Sequence, residues 1–217
     1  YTNLDDVEVL IVANGCIDET RSYVESLGEP FKLLWFDEGL GFTKATNIGI
    51  RASIGEFVIL LNNDTVLLEQ RCNDWVERLL VPFEKNEKMG IVGPHYLHDP
   101  NTESDFIVFF CVMIRKQVFR DVGLLDEIFS PGAGEDTDMV LRAKLHGYEV
   151  GYTNTSSPSE TQEFCVGDFP IYHKGEGTFG SYAGWNEIFE RNSKILRDRK
   201  ASGYYDKVEK VTKSKPK

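Results

Sequence analysis

Short apolar runs alternate with segments of helical periodicity through the first half of the chain. Residues 7–12 are almost continuously apolar, 32–36 and 56–61 have the same character, and helical patterns separate the three runs. Apolar runs of this length are typical of strands that are covered on both faces, and strands that alternate with helices form a parallel sheet. The pattern therefore predicts an α/β fold with a mostly parallel sheet that is flanked by helices.

The second half of the chain is less regular. We expect one long strand over 106–114 and a final helix whose apolar residues share one face. These residues are Trp185, Ile188, Phe189, Ile195 and Leu196. The sequence thus predicts a single domain over 1–196, with halves 1–93 and 94–196, and a basic tail or linker over 197–217.

Composition excludes several classes of protein. A formal net charge of −11 over 217 residues disfavours contact with a phosphate backbone, so we expect no nucleic-acid partner. The apolar runs are far shorter than the roughly 20 residues that cross a bilayer, so we expect no transmembrane segment. The four cysteines form no close pair, which favours reduced thiols in a cytoplasmic protein. The basic tail is a candidate for contact with a membrane surface. Because the chain begins without Met, we expect part of a larger, multidomain chain.

A polar segment follows the third apolar run. Asn62, Asn63 and Asp64 come directly after it, and ligands collect at the carboxyl ends of strands in parallel sheets. Carboxylate and amide oxygens can hold a hard divalent cation whose coordination is completed by water and substrate phosphates. An Asx turn that merely ends the strand explains the same residues.

Two further clusters contain titratable side chains. Glu135, Asp136 and Asp138 begin a predicted helix after a glycine-rich approach over 129–134. Capping of the helix alone could account for these acids, whereas the flexible approach favours their presentation in a cleft. His173 begins a glycine-rich heptad that is either a turn or part of a site. Taken together, the clusters favour one site over three unrelated turns.

In this order the motifs resemble those of inverting glycosyltransferases of family two, which have the GT-A fold. Five stretches carry the resemblance: VLIVANGCIDET at 9–20, GFTKATNIGI at 41–50, LLNNDT at 60–65, the run over 113–143 that contains GED, and YHKGEGTF at 172–179. Together they span about residues 7–180. The resemblance implies a GT-A type single domain with a Rossmann-like sheet, in which 1–93 is the nucleotide-binding half and 94–196 the acceptor and catalytic half.

The resemblance also implies a role for each matched residue. Asp136 matches the catalytic base, with Glu135 beside it, whereas Asp64 and His173 match positions that face a Mn²⁺ or Mg²⁺ ion. The positions that match contacts to the nucleotide sugar are Asn14, Gly41, Lys44, Asn47, Asn62, Asn63 and Lys174. Relatives often have Asp immediately before the residue that matches Asn14, where this chain has Ala13.

Two departures from the family pattern concern the sheet and the acceptor. Relatives have a further strand well before the segment that matches 7–12, and that strand lies inside the sheet. Without it, two strand edges would be left unpaired. The stretch between Pro94 and Phe106, on the acceptor side, is shorter than in relatives.

The function that the resemblance implies is metal-dependent transfer of a sugar, with inversion, from a nucleotide sugar to a hydroxyl of a glycan or glycolipid precursor. UDP is the expected nucleotide. The ion would neutralise the departing diphosphate, and a carboxylate would accept the proton of the attacking hydroxyl. Two alternatives stay open. One is a carbohydrate-assembly module of the same fold without turnover, and the other is a sugar nucleotidyltransferase.

Overall fold

The computed structural model describes residues 1–153, 167–175 and 184–206. In chain order its elements are β1 (Val9–Asn14), α1 (Thr20–Leu27), β2 (Phe31–Phe36), α2 (Phe42–Ala52), β3 (Phe57–Leu61), β4 (Thr65–Leu67), α3 (Asp74–Lys85), β5 (Met89–Gly93), β6 (Tyr96–Asp99), β7 (Ser104–Ile107), β8 (Cys111–Arg115), α4 (Lys116–Val122), α5 (Glu135–Leu145), β9 (Glu149–Tyr152), β10 (Ile171–His173) and α6 (Trp185–Ala201). Short 3₁₀ helices occupy Glu127–Phe129 and Tyr204–Asp206. In the part of the chain described, no helix has the length and apolar character that crossing a membrane requires.

The central sheet has four strands in the order β3–β8–β5–β9. Strand β8 is antiparallel to both β3 and β5, and β5 is parallel to β9. Three of the four strands therefore point the same way, and β1 and β2 form a separate parallel pair. The predicted α/β class, with a mostly parallel sheet and flanking helices, is confirmed.

Strand direction brings the polar segments to one edge of the sheet. The carboxyl ends of β3, β5 and β9 lie at this edge, together with the beginning of β8. Asp64, His95 and Thr153 all follow one of these three strands by a few residues. The antiparallel ladder of β4 and β10 pairs Thr65 with His173, so the late histidine joins the same edge.

Strands β1 and β3 each have one partner strand within the described residues, β2 and β8 respectively. This arrangement agrees with the two unpaired edges that we expected in the absence of an inner strand. The Glu8 carboxylate connects the two sheets near the start of β3, where it accepts hydrogen bonds from the amides of Ile54 and Gly55.

Alternating side chains of the central strands fill two apolar layers, one on each face of the sheet. In β5, Ile91 packs in one layer and Val92 in the other. In β8, Ile114 and Met113 separate in the same way. All four side chains are nearly inaccessible to solvent. The near-continuous apolar runs of the sequence thus reflect strands that are buried on both faces.

The long strand predicted over 106–114 is wrong. Strand β7 ends at Ile107 and β8 begins at Cys111, because β7 pairs with β6 in an antiparallel hairpin while β8 enters the central sheet. The connecting residues Phe109 and Phe110 are both 3% exposed. Because both residues are apolar, the sequence pattern does not distinguish this turn from a strand.

Buried ion pairs join α5 to the end of α6. Asp138 is fully buried and accepts hydrogen bonds from Arg142 Nε at 2.7 Å, Arg199 Nη1 at 2.6 Å and the Tyr205 hydroxyl at 2.9 Å. Arg199 also donates to Asp126 at 2.6 Å. These contacts fix α6 and the 3₁₀ helix that follows it on the body of the domain.

The domain consequently extends further than we predicted. Residues 197–206 were expected to begin a basic tail or linker. Instead, 197–201 continue α6, 204–206 form the 3₁₀ helix, and both pack on the domain through Arg199 and Tyr205. The rest of the predicted tail, 207–217, lies outside the described residues. The physical reason is the pairing of Arg199 with two carboxylates that are distant in sequence.

Substitution of Asp138 by Ala is expected to destabilise the domain by about 3–5 kcal/mol, because it leaves two largely buried guanidinium groups without their shared carboxylate. Urea unfolding monitored by circular dichroism measures this change. The matched control is Asp198→Ala, which removes an exposed pair with Lys194 and should cost about 0–1 kcal/mol. Equal effects of the two substitutions would contradict the prediction.

Candidate active site

A carboxylate and an imidazole meet at the polar edge of the sheet. The ladder between β4 and β10 places Asp64 Oδ1 3.2 Å from His173 Nε2. The Lys174 amide donates to the Asp64 carbonyl at 2.9 Å, which fixes the two chain segments relative to each other. The Phe110 ring stacks on the imidazole, with centroids 4.3 Å apart and an interplanar angle of 11°. The predicted neighbourhood of Asp64 and His173 is therefore present in the structure.

These two atoms have the character of metal ligands. Both are buried, and neither has a hydrogen-bond partner among the described residues, because the 3.2 Å contact does not have hydrogen-bond geometry. Buried polar atoms without partners are costly and rare. Adjacent oxygen or nitrogen ligands of an octahedral ion at about 2.1 Å lie about 3 Å apart, close to the observed separation. The pair fits a divalent cation.

Protein side chains alone do not complete a coordination sphere. Within residues 1–153, 167–175 and 184–206 there is no group of three or more His, Cys, Asp or Glu side chains arranged to hold a metal ion. An ion held by Asp64 and His173 would thus keep open positions for water and for phosphate oxygens. Ions such as Mg²⁺ are commonly bound in this way, through few protein ligands and substrate phosphates.

A second pair of acids lies at the beginning of α5. Burial raises the pKa of Asp136 to about 7, and the charge of Asp99 adds to this, while backbone hydrogen bonds from Thr137 and Phe109 oppose it. Burial also raises the pKa of Glu135 well above its usual range, as does the Asp136 charge. Glu135 is 6% exposed, and its Oε2 has no partner within the described residues. The two neighbouring acids therefore both have raised pKa values, and burial is the main cause in each.

Two consecutive residues connect the acid pair to the Asp64 and His173 pair. Phe109 provides a backbone hydrogen bond to Asp136, and Phe110 stacks on His173. Because consecutive Cα atoms are about 3.8 Å apart, the residue that contacts Asp136 adjoins the residue that contacts His173. That all three clusters act as one site stays a prediction.

The loop that leads to Asp136 is held by α6 and by α2. The buried Asn192 amide donates to the carbonyls of Phe129, Gly132 and Ala133 at 2.8–2.9 Å. The Pro131 carbonyl accepts from the Phe42 amide at 2.6 Å. No local pattern marks Asn192, since its partners lie about 60 positions earlier. A glycine-rich segment that appeared flexible in sequence is therefore fixed in place.

Gly41 lies where α2 meets that loop. It has φ +75°, and a Cβ atom there would approach Pro131 Cβ to 2.6 Å, so only glycine fits without displacement. Lys44 is exposed in the next turn. Asn14 Oδ1 accepts from the Leu40 amide at 2.8 Å, so this side chain fixes the loop before Gly41.

Other residues predicted to contact the donor lie beside the Asp64 and His173 pair. The backbone N–H of Asn62 donates to the Phe110 carbonyl at 2.8 Å, and Asn62 is partly buried. Asn63 and Lys174 are exposed. Glu176 to Phe179, the rest of the glycine-rich heptad, lie outside the described residues.

Asn47 corrects a prediction. Instead of facing a donor, it is 1% exposed and its amide is fully engaged inside the protein. Its Nδ2 donates to the Leu125 carbonyl at 2.9 Å and to Glu127 Oε1 at 3.1 Å, and its Oδ1 accepts from the Leu125 amide. Asn47 therefore attaches α2 to the segment before α5, with both Nδ2 hydrogens used and almost no surface left for a ligand.

Residues 2–108, about half of the chain, match the family model described as Glycosyl transferase family 2. The chain belongs to glycosyltransferase family 2. The matched range includes Asp64 but ends before Asp136 and His173, so the placement of these two residues depends on the geometry above. No curated protein sequence matches the chain.

Solved structures of other glycosyltransferases share the GT-A fold of this family 2 chain. A mannosyltransferase from Pyrobaculum calidifontis in complex with GDP-Man and Mn²⁺ is 16% identical, with a TM-score of 0.53 over 71% of this chain and 49% of that one. GalNAc-T7 with UDP, GalNAc and Mn²⁺ is 12% identical, with a TM-score of 0.55 over 67% and 36%. Glucosyl-3-phosphoglycerate synthase from Mycobacterium tuberculosis in complex with phosphoglyceric acid is 12% identical, with a TM-score of 0.59 over 87% and 69%. This chain spans about half or less of the first two proteins.

One titratable side chain at the polar edge, His95, was not selected in the sequence analysis. His95 follows β5 at the polar edge, and burial lowers its pKa, as does the charge of nearby His173. Its carbonyl accepts from the Val108 amide at 3.1 Å. Its position just after a buried strand was the available signal, because Asn62 to Asp64 were selected on the same ground.

The raised pKa of Asp136 predicts how the rate of sugar transfer depends on pH. An acid with a pKa of about 7 is increasingly protonated below that pH, and a protonated carboxylic acid cannot accept a proton. If this family 2 chain transfers sugars with Asp136 as base, kcat/KM should fall about tenfold per pH unit below about 7 and level off above it. A pH profile at saturating Mn²⁺ measures the bend. A bend near pH 4 would contradict the prediction, because it would indicate an unshifted carboxylate.

Proposed function

We propose that this chain is a metal-dependent inverting glycosyltransferase that moves a sugar from a nucleotide sugar, most simply a UDP-sugar, to a hydroxyl of a glycan or glycolipid precursor. The observation that carries the proposal is the pair of buried and unpartnered atoms, Asp64 Oδ1 and His173 Nε2, 3.2 Å apart. Such a pair binds a hard cation, and open positions on that cation suit a diphosphate.

When bound, a Mn²⁺ or Mg²⁺ ion would supply positive charge beside the departing diphosphate. Asp64 and His173 would hold it, and the exposed Lys174 would add a second cation near the same phosphates. We assign Asn14, Gly41, Lys44, Asn62 and Asn63 to the surroundings of the donor, where Asn14 and Gly41 act by shaping the loop that they hold. Asn47 is left out because it is 1% exposed and both Nδ2 hydrogens are donated inside the protein.

Asp136 is the proposed general base. In the transfer step the acceptor oxygen forms a bond to the anomeric carbon, the bond from that carbon to the diphosphate oxygen breaks, and the hydroxyl proton passes to Asp136. Attack from the face opposite the leaving group inverts the anomeric centre. A pKa of about 7 suits this task, because the best base has a pKa near the working pH. Glu135 is the buried neighbour of this base, and burial and the Asp136 charge raise its own pKa.

The test is a panel of UDP-, GDP- and dTDP-linked sugars. Release of nucleoside diphosphate and thermal stabilisation are measured with Mn²⁺ and with EDTA. We expect one nucleotide to stabilise the protein only with Mn²⁺, and its sugar conjugate to be hydrolysed slowly. Stabilisation without hydrolysis would favour the module without turnover, and pyrophosphate release from a nucleoside triphosphate and a sugar phosphate would favour a nucleotidyltransferase. Absence of all three signals would refute nucleotide-sugar chemistry.

A further inference from the structure

Two tyrosine side chains form an exposed surface on the polar edge of the sheet, which we call the aromatic platform. Its members are Tyr96 and Tyr152, which are 45% and 54% exposed. The two tyrosine rings contact each other, with centroids 4.9 Å apart and an interplanar angle of 49°. A contiguous group of exposed apolar side chains is a common mark of a binding surface.

The platform lies at the same edge as the Asp64 and His173 pair. Tyr152 ends β9 opposite Gly93, which ends β5, and Tyr96 follows Gly93 by three residues with His95 between them. In the order β3–β8–β5–β9, three inter-strand steps of about 4.8 Å separate β3 from β9, or about 14 Å in total. The platform is therefore on the far side of His95 from the proposed donor phosphates.

The hairpin that carries the platform also reaches the proposed base. Tyr96 begins β6 and Asp99 ends it. Asp99 is 5% exposed, and its charge contributes to the raised pKa of Asp136. Asp99 accepts hydrogen bonds from Asn101 and Thr102 at 2.8–3.0 Å, and β7 packs against α5. Three residue steps of about 3.3 Å place Tyr96 about 10 Å from Asp99.

The next residue after the platform has an unsatisfied hydroxyl. Thr153 Oγ1 is buried and has no hydrogen-bond partner among the described residues. Its amide donates to the Gly93 carbonyl at 3.1 Å, so its position is fixed by the sheet. Buried polar groups normally have partners, and a ligand hydroxyl is one group that satisfies such an atom.

We propose that the aromatic platform is the acceptor subsite and binds a neutral pyranose ring of a glycan. This inference rests on the proposed function, because it takes Asp136 as the base that the acceptor must reach. A pyranose has apolar faces of C–H groups and a rim of hydroxyls, which matches tyrosine, whose ring is apolar and whose hydroxyl forms hydrogen bonds. The distance from the platform to Asp99 requires an acceptor longer than one ring, so that one sugar rests on the tyrosines while the next presents its hydroxyl to Asp136.

Charge on the hairpin favours a neutral ligand. The titratable side chains of the two hairpin strands beside the platform, His98 and Asp105, pair with each other at 2.9 Å, so this pair offers no free cation to an anionic sugar. The overall charge of −11 also disfavours a polyanionic acceptor. A lipid chain would require a closed apolar groove, whereas these side chains are about half exposed.

Saturation-transfer NMR tests the platform directly. The probes are methyl β-glucoside, methyl β-galactoside, methyl α-mannoside and methyl β-N-acetylglucosaminide, and the matching β-linked disaccharides. We expect saturation of the ring protons of at least one probe, and an approximately tenfold loss in Tyr96→Ala/Tyr152→Ala, since each aromatic contact contributes modestly. Tyr96→Phe/Tyr152→Phe should retain most of the signal because the rings remain.

The matched control is Tyr23→Ala on α1, which removes a tyrosine that is 64% exposed and far from the platform in the fold. Urea midpoints of all variants verify folding, and the two single Tyr→Ala variants repeat the test if the double variant is unstable. Absence of transfer to every probe, or equal transfer to the wild type and the double variant, overturns the proposal. Stabilisation of the wild type by UDP with Mn²⁺ is measured separately, so failure of the platform is distinguishable from failure of the proposed function.

Discussion

Substitution of Asp136 by Asn is expected to lower kcat for sugar transfer by about 10²–10⁴-fold, the usual contribution of a general base. The amide keeps the size of the side chain but cannot accept the hydroxyl proton. Because Asp136 is not one of the two assigned ion ligands, Mn²⁺-dependent binding of the nucleotide should persist. The loss should therefore appear in kcat, with little change in KM for the donor.

Single-turnover kinetics and UDP-dependent thermal stabilisation of the same Asp136→Asn sample separate the two effects. Asp198→Asn is the matched control, because Asp198 is an exposed acid on α6 that pairs only with Lys194 among the contacts described. Transfer at the wild-type rate in Asp136→Asn would remove this residue from the role of base. Equal loss of transfer and of nucleotide binding would instead show that the substitution disturbs the whole edge of the sheet.

Substitution at the Asp64 and His173 pair should weaken the binding of the metal ion. We expect Asp64→Asn and His173→Ala each to weaken Mn²⁺ binding by more than the roughly 10–100-fold that removal of an outer-sphere partner typically costs. Mn²⁺ is titrated into protein with UDP, and electron paramagnetic resonance measures the free ion. The bound ion is the difference between the total and the free concentrations. Thermal stabilisation by UDP with Mn²⁺ should disappear in parallel.

The chain contains its own control for this experiment. His98 and Asp105 form another histidine and aspartate pair, at 2.9 Å, but both side chains are about 60% exposed and already hydrogen-bonded to each other. His98→Ala should leave Mn²⁺ binding unchanged. A Mn²⁺ affinity that survives loss of both Asp64 and His173 would place the ion elsewhere and would refute the assigned ligands.

The predictable parts of the fold are those encoded by local pattern. The apolar runs over residues 7–12 and 56–61 predicted β1 and β3, and therefore the edge of the sheet at which Asp64 lies. The resemblance supplied the pairing with His173. Phe109 and Phe110 show what a local pattern cannot predict. A buried turn is as apolar as a buried strand, so β7 and β8 were predicted as one strand.

Asn47 could have been assigned correctly from its spacing. With Thr43 and Ile50 it forms a stripe at i, i+4 and i+7 on α2, and all three are buried. Such a stripe faces the core, whereas the exposed Lys44 lies on another face. The roles of Asn192 and Arg199 had no comparable signal, since their partners are about 60 to 70 residues away and only the tertiary structure brings them together.

The turn between β7 and β8 is expected to tolerate inserted or deleted residues poorly. Loops on protein surfaces usually accept inserted or deleted residues. Here Phe109 hydrogen-bonds to Asp136 and Phe110 stacks on His173. One added residue would therefore displace the proposed base relative to the proposed ion ligand. In descendants of this sequence we expect indels in this connection to be as rare as substitutions of Asp136 itself.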